Sequence, residues 1–152
     1  MCVIRNVTPL MEHVMHGDID AVRACLKADT SSIHDENECA LHAACRSGHV
    51  DIVQLLIDNG ANLHHWDDVA LHWACAYGHT NVARLLLQNG ANIHSNNDYS
   101  LALAAEEGRV ELAKLLLEWG ADVSTLNYIS IYLAEANGHV DLAQLLKTYK
   151  IK

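Results

Sequence analysis

The sequence predicts an all-α solenoid of five stacked helix pairs forming one domain, and two observations carry that prediction. First, three columns recur every 30 residues: Gly48, Gly78, Gly108 and Gly138; Gly60-Ala61, Gly90-Ala91 and Gly120-Ala121; Ala44, Ala74, Ala104 and Ala134. Second, apolar residues between these glycines follow helical spacing and cover two sides, as in Ile52, Val53, Leu55, Leu56 and Ile57. A helix apolar on two sides is packed between neighbours, which is what stacking requires. Function in such a chain belongs to a surface that the units share.

The elements follow in order. Units span approximately residues 7–37, 38–67, 68–97, 98–127 and 128–152. In the first, Thr8 is a capping hydroxyl and Pro9 a helix-starting proline. In the second, one helix runs from Glu38 to Ser47 and stops at Gly48; the next runs from Val50 to Asn59 and stops at Gly60. Glycine suits both ends because the chain turns left-handed there. Asp20, Asp51, Glu111 and Asp141 open the second helices, where the positive helix end favours an acid. Asn37, Asp67, Asn97 and Asn127 form a column of good N-caps, which places the later first-helix starts there. The outer units act as caps, and Lys147, Lys150 and Lys152 solubilise the last one.

Bulk chemistry narrows the function class. Ten Lys and Arg against nineteen Asp and Glu give a net charge of −9. That balance disfavours nucleic acid, whose binding depends on cations displacing counterions from phosphates. The five cysteines are an odd number with no disulfide framework, and Cys45 and Cys75 share a repeat column, so they read as small packed residues of a reducing compartment. Arg5 and Asn6 interrupt the start where a secretory signal needs an apolar stretch. No apolar run approaches the ~18 residues of a membrane span. The expectation is a cytoplasmic protein that engages no membrane.

TPLM at residues 8–11, together with ALHAACRSGH and ALHWACAYGH, resembles the ankyrin signature T-P-L-H-x-A with its Gly-His and Gly-Ala landmarks. The resemblance covers roughly residues 7–149. Ankyrin repeats run about 33 residues, whereas these run 30. The missing residues fall where the family forms a β-hairpin finger, so the resemblance implies a finger cut down to a tight turn. The short repeats are also similar to those of giant-virus ankyrin proteins and of bacteria living inside eukaryotic cells. The resemblance implies a non-enzymatic protein-interaction module, binding a host protein through a concave face.

Comparison among the units locates the candidate site. The columns Glu36/Trp66/Asn96/Leu126 and Glu38/Asp68/Asp98/Tyr128 vary freely near the first-helix starts. On the helix, the columns of Ala43/Trp73, Arg46/Glu106 and Tyr77/Glu107 vary at spacings of three and four, which puts them on one face. Trp66, Trp73 and Tyr77 gather about the start of the third unit as an aromatic anchor. With Glu36, Glu38, Asp68, Asp98, Glu106 and Glu107 as acids nearby, the expected partner is a basic segment carrying an apolar group, met by a monomer. Arg46 and Tyr128 complete the candidate set.

Eleven histidines raise a competing class, a metal- or small-ligand-binding repeat protein. His42 with Cys45, and His72 with Cys75, are three apart on a helix, but both pairs sit in packing columns. His34, His64 and His94 form a ladder, because stacked helices lie ~8–10 Å apart. His49, His79 and His139 follow turn glycines and read as structural. A Cys–His nucleophile would need an orienting group and an oxyanion site that no part of the pattern supplies. The expectation is therefore no cofactor, no metal and no catalysis. Self-association as a structural protein is the third class.

Overall fold

The structure is a computed structural model that describes residues 8–28 and 38–149, without the side chains of residues 126 and 127. Among the described residues it contains ten helices and no strand. They pair in chain order: α1 (Pro9–His16) with α2 (Ile19–Ala28), α3 (Cys39–Ser47) with α4 (Val50–Asp58), and α5 (Val69–Ala76) with α6 (Thr80–Gln88). Then come α7 (Tyr99–Glu106) with α8 (Val110–Glu118), and α9 (Thr125–Ala136) with α10 (Val140–Tyr149).

The first helices pack in the row α1, α3, α5, α7, α9, more closely than the second helices α2, α4, α6, α8 pack in theirs. The alanine column explains the difference. Ala44, Ala74 and Ala104 are fully buried between first helices, and with only a methyl group there the backbones approach closely. A stack tighter along one row curves toward it, so the first helices line the concave side. The core is continuous along the stack, with Leu41, Leu71 and Leu101 on first helices and Leu56, Leu86 and Leu116 on second helices.

Helix ends follow the expected chemistry at unit one. Thr8 Oγ1 accepts from the Met11 amide at 3.3 Å, and Pro9 begins the helix. Gly48 shows why glycine holds the turn column. Its φ is 79°, and an added Cβ would lie 2.5 Å from His79 Nδ1 of the following unit. That histidine needs the space, because its Nε2–H donates to the Arg46 carbonyl at 2.9 Å. His139 makes the same bond to the Glu106 carbonyl at 3.0 Å.

The later first helices depart from expectation. Their starts are not capped by Asp67 or Asn97. The residue before each helix is Glu38, Asp68 or Asp98, each left-handed and with no side-chain cap. Trp66, Asp67 and Asp68 form a run of positive φ, repeated by Asn96, Asn97 and Asp98. This left-handed turn replaces the hairpin finger. Asp and Asn tolerate it better than other non-glycine residues, which accounts for five of its six positions. Asn37, together with Cys2, His34, Lys150 and Lys152, lies outside the described residues. Cys25, Cys45 and Cys75 are free thiols, whereas Cys39 is disulfide-bonded, contrary to the expectation of cysteines without a disulfide framework.

Candidate functional site

Two cavities adjoin on the concave side, and Trp66, Val69 and Trp73 line both. One, of about 470 Å³, opens between α1, α3 and the α4–α5 turn, lined by Met11, Met15 and His42 as well. The other, of about 520 Å³, lies between α5 and α7, with His72, Tyr99 and Leu103 in its walls. The two tryptophans thus form a partition with an apolar slot on each side.

Trp66 stays 45% exposed on a left-handed backbone of φ 49°. A bulky residue is rare in that conformation, and the equivalent position in the next unit is Asn96. Its ring lies 5.7 Å from His42 and 4.8 Å from His65. Trp73 and Tyr77 make a second group, with ring centroids 5.9 Å apart. The Arg46 guanidinium sits over both, 5.8 Å from Trp73 and 5.2 Å from Tyr77. The helical spacing therefore grouped Arg46, Trp73 and Tyr77 correctly.

The acids divide. Glu106 and Glu107 are exposed on the concave face, as expected. Glu38, Asp68 and Asp98 are instead buried, at 4%, 3% and 4% exposure, and do not present charge to a partner. Asp68 Oδ1 accepts from the His64 imidazole at 3.0 Å and from the Asn92 amide at 3.0 Å. Asp98 Oδ1 accepts from His94 at 3.0 Å and from the Asp122 amide at 3.1 Å. Each carboxylate clasps the turn before its helix to the corresponding turn of the next unit. The left-handed backbone causes this by rotating the third turn residue inward. Tyr128, in the same column at φ 62°, packs half-buried against the core. The three acids of this column are thus buried in the frame instead of exposed as the sequence suggested. Glu36 lies outside the described residues.

The histidines separate in the same way. His64 and His94 orient the clasp aspartates. His72 Nε2 shares a 3.0 Å hydrogen bond with Ser95 Oγ, whereas His42, also buried, has no hydrogen-bond partner among the described residues on either ring nitrogen. The position equivalent to Ser95 is His65, whose ring lies 5.8 Å from His42. Burial, reinforced by the charge His65 would carry, lowers the pKa of His42 to about 4, so the ring is neutral at physiological pH. Burial lowers that of His72 too, opposed by Asp67, the Ser95 bond and Asp68.

Burial pushes the Cys45 thiol far up and the Cys75 thiol up to about 12, so neither is a thiolate nucleophile or ligand at neutral pH. Among the described residues no group of three or more His, Cys, Asp or Glu is arranged to hold a metal ion.

Sequence reasoning missed Met11, Met15, His42 and Tyr99 as lining residues. Tyr99 had a signal, since its column runs Cys39, Val69, Tyr99, Ile129 and changes size at every step. His42 had none, because its lack of a partner depends on which residue the turn brings over it.

A family model for ankyrin repeats (3 copies) matches residues 2–67 and again residues 63–127. The comparison with curated proteins found no match to the chain. The matched span takes in most of the chain, together with the stacked helix pairs and the glycine and histidine landmarks at their turns, and on these grounds the protein belongs to the ankyrin-repeat family.

Proposed function

We propose that the chain is a non-catalytic interaction module that grips a partner protein along its concave face, with Trp66, Trp73 and Tyr77 as the anchor. Ankyrin repeats are in general protein-interaction modules. The single observation that carries the reading is the pair of apolar slots sharing Trp66 and Trp73 on a solvent-open face. Exposed aromatics beside pockets are where interfaces concentrate their energy, and burying such an anchor contributes about 2 kcal/mol or more.

Charge varies along the face. Arg46, Ala76 and Glu106 occupy one column in successive units, so the face runs from cationic beside α3 to anionic beside α7. Glu106 and Glu107 form no ion pair among the described residues and suit a basic group of the partner. The net charge of −9 disfavours nucleic acid. No helix among the described residues is long and apolar enough to cross a membrane. On this reading the target is a host protein in the host cytoplasm, met by a monomer.

Affinity capture from eukaryotic lysate, comparing wild type with Trp66→Ala, Tyr77→Ala at low and moderate salt, tests this. The expected result is a partner lost in the variant. A partner held equally by both proteins would place the binding surface elsewhere.

A further inference from the structure

We propose that the slot between α1, α3 and the α4–α5 turn receives a tyrosine side chain of the partner, with a carboxylate beside that tyrosine paired to Arg46. The proposal rests on the concave-face reading above and specifies its chemistry.

The walls of the slot come from Met11, Met15, Trp66 and Trp73, which suit an aromatic ring. Thioethers adapt to aromatic shapes and make favourable contacts with them. His42 supplies the polar element. It is 5% exposed and lines the slot, and neither of its buried ring nitrogens has a hydrogen-bond partner among the described residues. Leaving such a group buried and unmatched carries the full penalty of its lost hydration. A neutral imidazole offers one donor and one acceptor, and a phenol hydroxyl meets one of them when the His65 and Trp66 rings beside His42 shift to admit it. A tyrosine thus places its apolar body against the walls and its polar tip against the histidine. The equivalent His72 is already matched by Ser95, so only the first slot has this vacancy for a hydrogen bond.

Arg46 supplies the charge. It is the only Lys or Arg on any of the five first helices. It forms no ion pair among the described residues and is held over Trp73 and Tyr77 at the rim of the slot. Guanidinium groups pre-placed on aromatic faces suit carboxylates, because little side-chain freedom is lost on pairing. Glu106 sits two helices along, and at ~8–10 Å per helix that is ~16–20 Å. An extended segment covers this in about five or six residues. The favoured partner sequence is therefore a tyrosine flanked by an acid, with a basic residue about five or six positions away.

The test is selection from a random peptide display library on wild-type protein, followed by titration of the selected peptides. Enrichment of tyrosine with Asp or Glu within two residues is expected. Replacing that tyrosine by Phe should weaken binding about five- to tenfold on wild type and not on His42→Leu. Arg46→Glu should lose the preference for the acid while retaining the wild-type thermal melt. Peptides whose binding falls with Trp73→Ala but which show no tyrosine or acid preference would overturn this inference and leave the concave face as the binding surface. Peptides indifferent to Trp73→Ala, or no enrichment at all, would overturn both.

Discussion

The α4–α5 turn and the α6–α7 turn share one backbone and differ in what they do with it. Both run through three left-handed residues, and both use an aspartate to clasp neighbouring turns. In the α6–α7 turn, Ser95 meets His72, Asn96 is small, and Tyr99 packs edge-on against the same histidine at 5.5 Å. In the α4–α5 turn, His65 replaces the serine and Trp66 the asparagine. There, among the described residues, His42 is left without a hydrogen bond, His65 Nε2 is buried without one, and a tryptophan stands out from the surface. The repeat frame carries stability in the clasp and the core. Residues just outside the frame differ between two equivalent turns, and on the function proposed above this difference makes the second and third units the binding region.

The largest effect should come from the shared clasp. Asp68→Ala or Asp98→Ala leaves an imidazole and a backbone amide without their acceptor, and should lower the unfolding free energy by about 2–3 kcal/mol in denaturant titration. A loss within about 0.5 kcal/mol, as at an ordinary surface site, would mean that the two turns do not share this support.

Acid should then separate the turns. The ordinary histidine value is 6.5 and that of folded His42 about 4, so the unfolded chain takes up the proton first. Stability is full above the unfolded value and is lost as pH falls from about 6.5 towards about 4. The His42 contribution between pH 7 and pH 5 is about 2 kcal/mol. His72 adds in the same direction. A His42→Leu variant should show a shallower decline in melting temperature across that interval. A wild-type profile flat from pH 7 to pH 5 would remove the idea that His42 is buried neutral.

Two smaller substitutions sharpen the contrast. His72→Leu strands the Ser95 hydroxyl and should cost about 1–2 kcal/mol, while His42→Leu removes a group with no partner and should cost little or stabilise. Equal losses in thermal melts would break the comparison. The smallest expected change is a gain: His65→Ser gives His42 the partner that His72 already has, worth about 1 kcal/mol. A melting temperature no higher than wild type would show that the α4–α5 turn cannot adopt the closed arrangement.

Much of the frame was legible in the residues. Spacing predicted helices over Glu38–Ser47 and Val50–Asn59, and they occupy Cys39–Ser47 and Val50–Asp58. Spacing also put Arg46, Trp73 and Tyr77 on one face, where they now meet. The column of Glu38, Asp68 and Asp98 misled, because variation between units says that a position is not a packing alanine or leucine, and not which way it points. The N-cap assignment failed for a related reason. Asp67 has the right side chain for a cap, but its carboxylate accepts from the Asn96 amide of the next turn at 2.9 Å.

The sequence by itself determined the repeat, the helix pairs, the turn glycines and the aromatic unit. Each is local: a period, a propensity, or a glycine that φ alone demands. Only the tertiary structure decided which acids are clasps and which are exposed, and which histidine is matched and which is not. Those outcomes depend on what a turn places over a helix some 23 residues away, as Ser95 is placed over His72 and His65 over His42. A buried polar group is satisfied or stranded by a neighbour distant in the chain, and no window of sequence contains both.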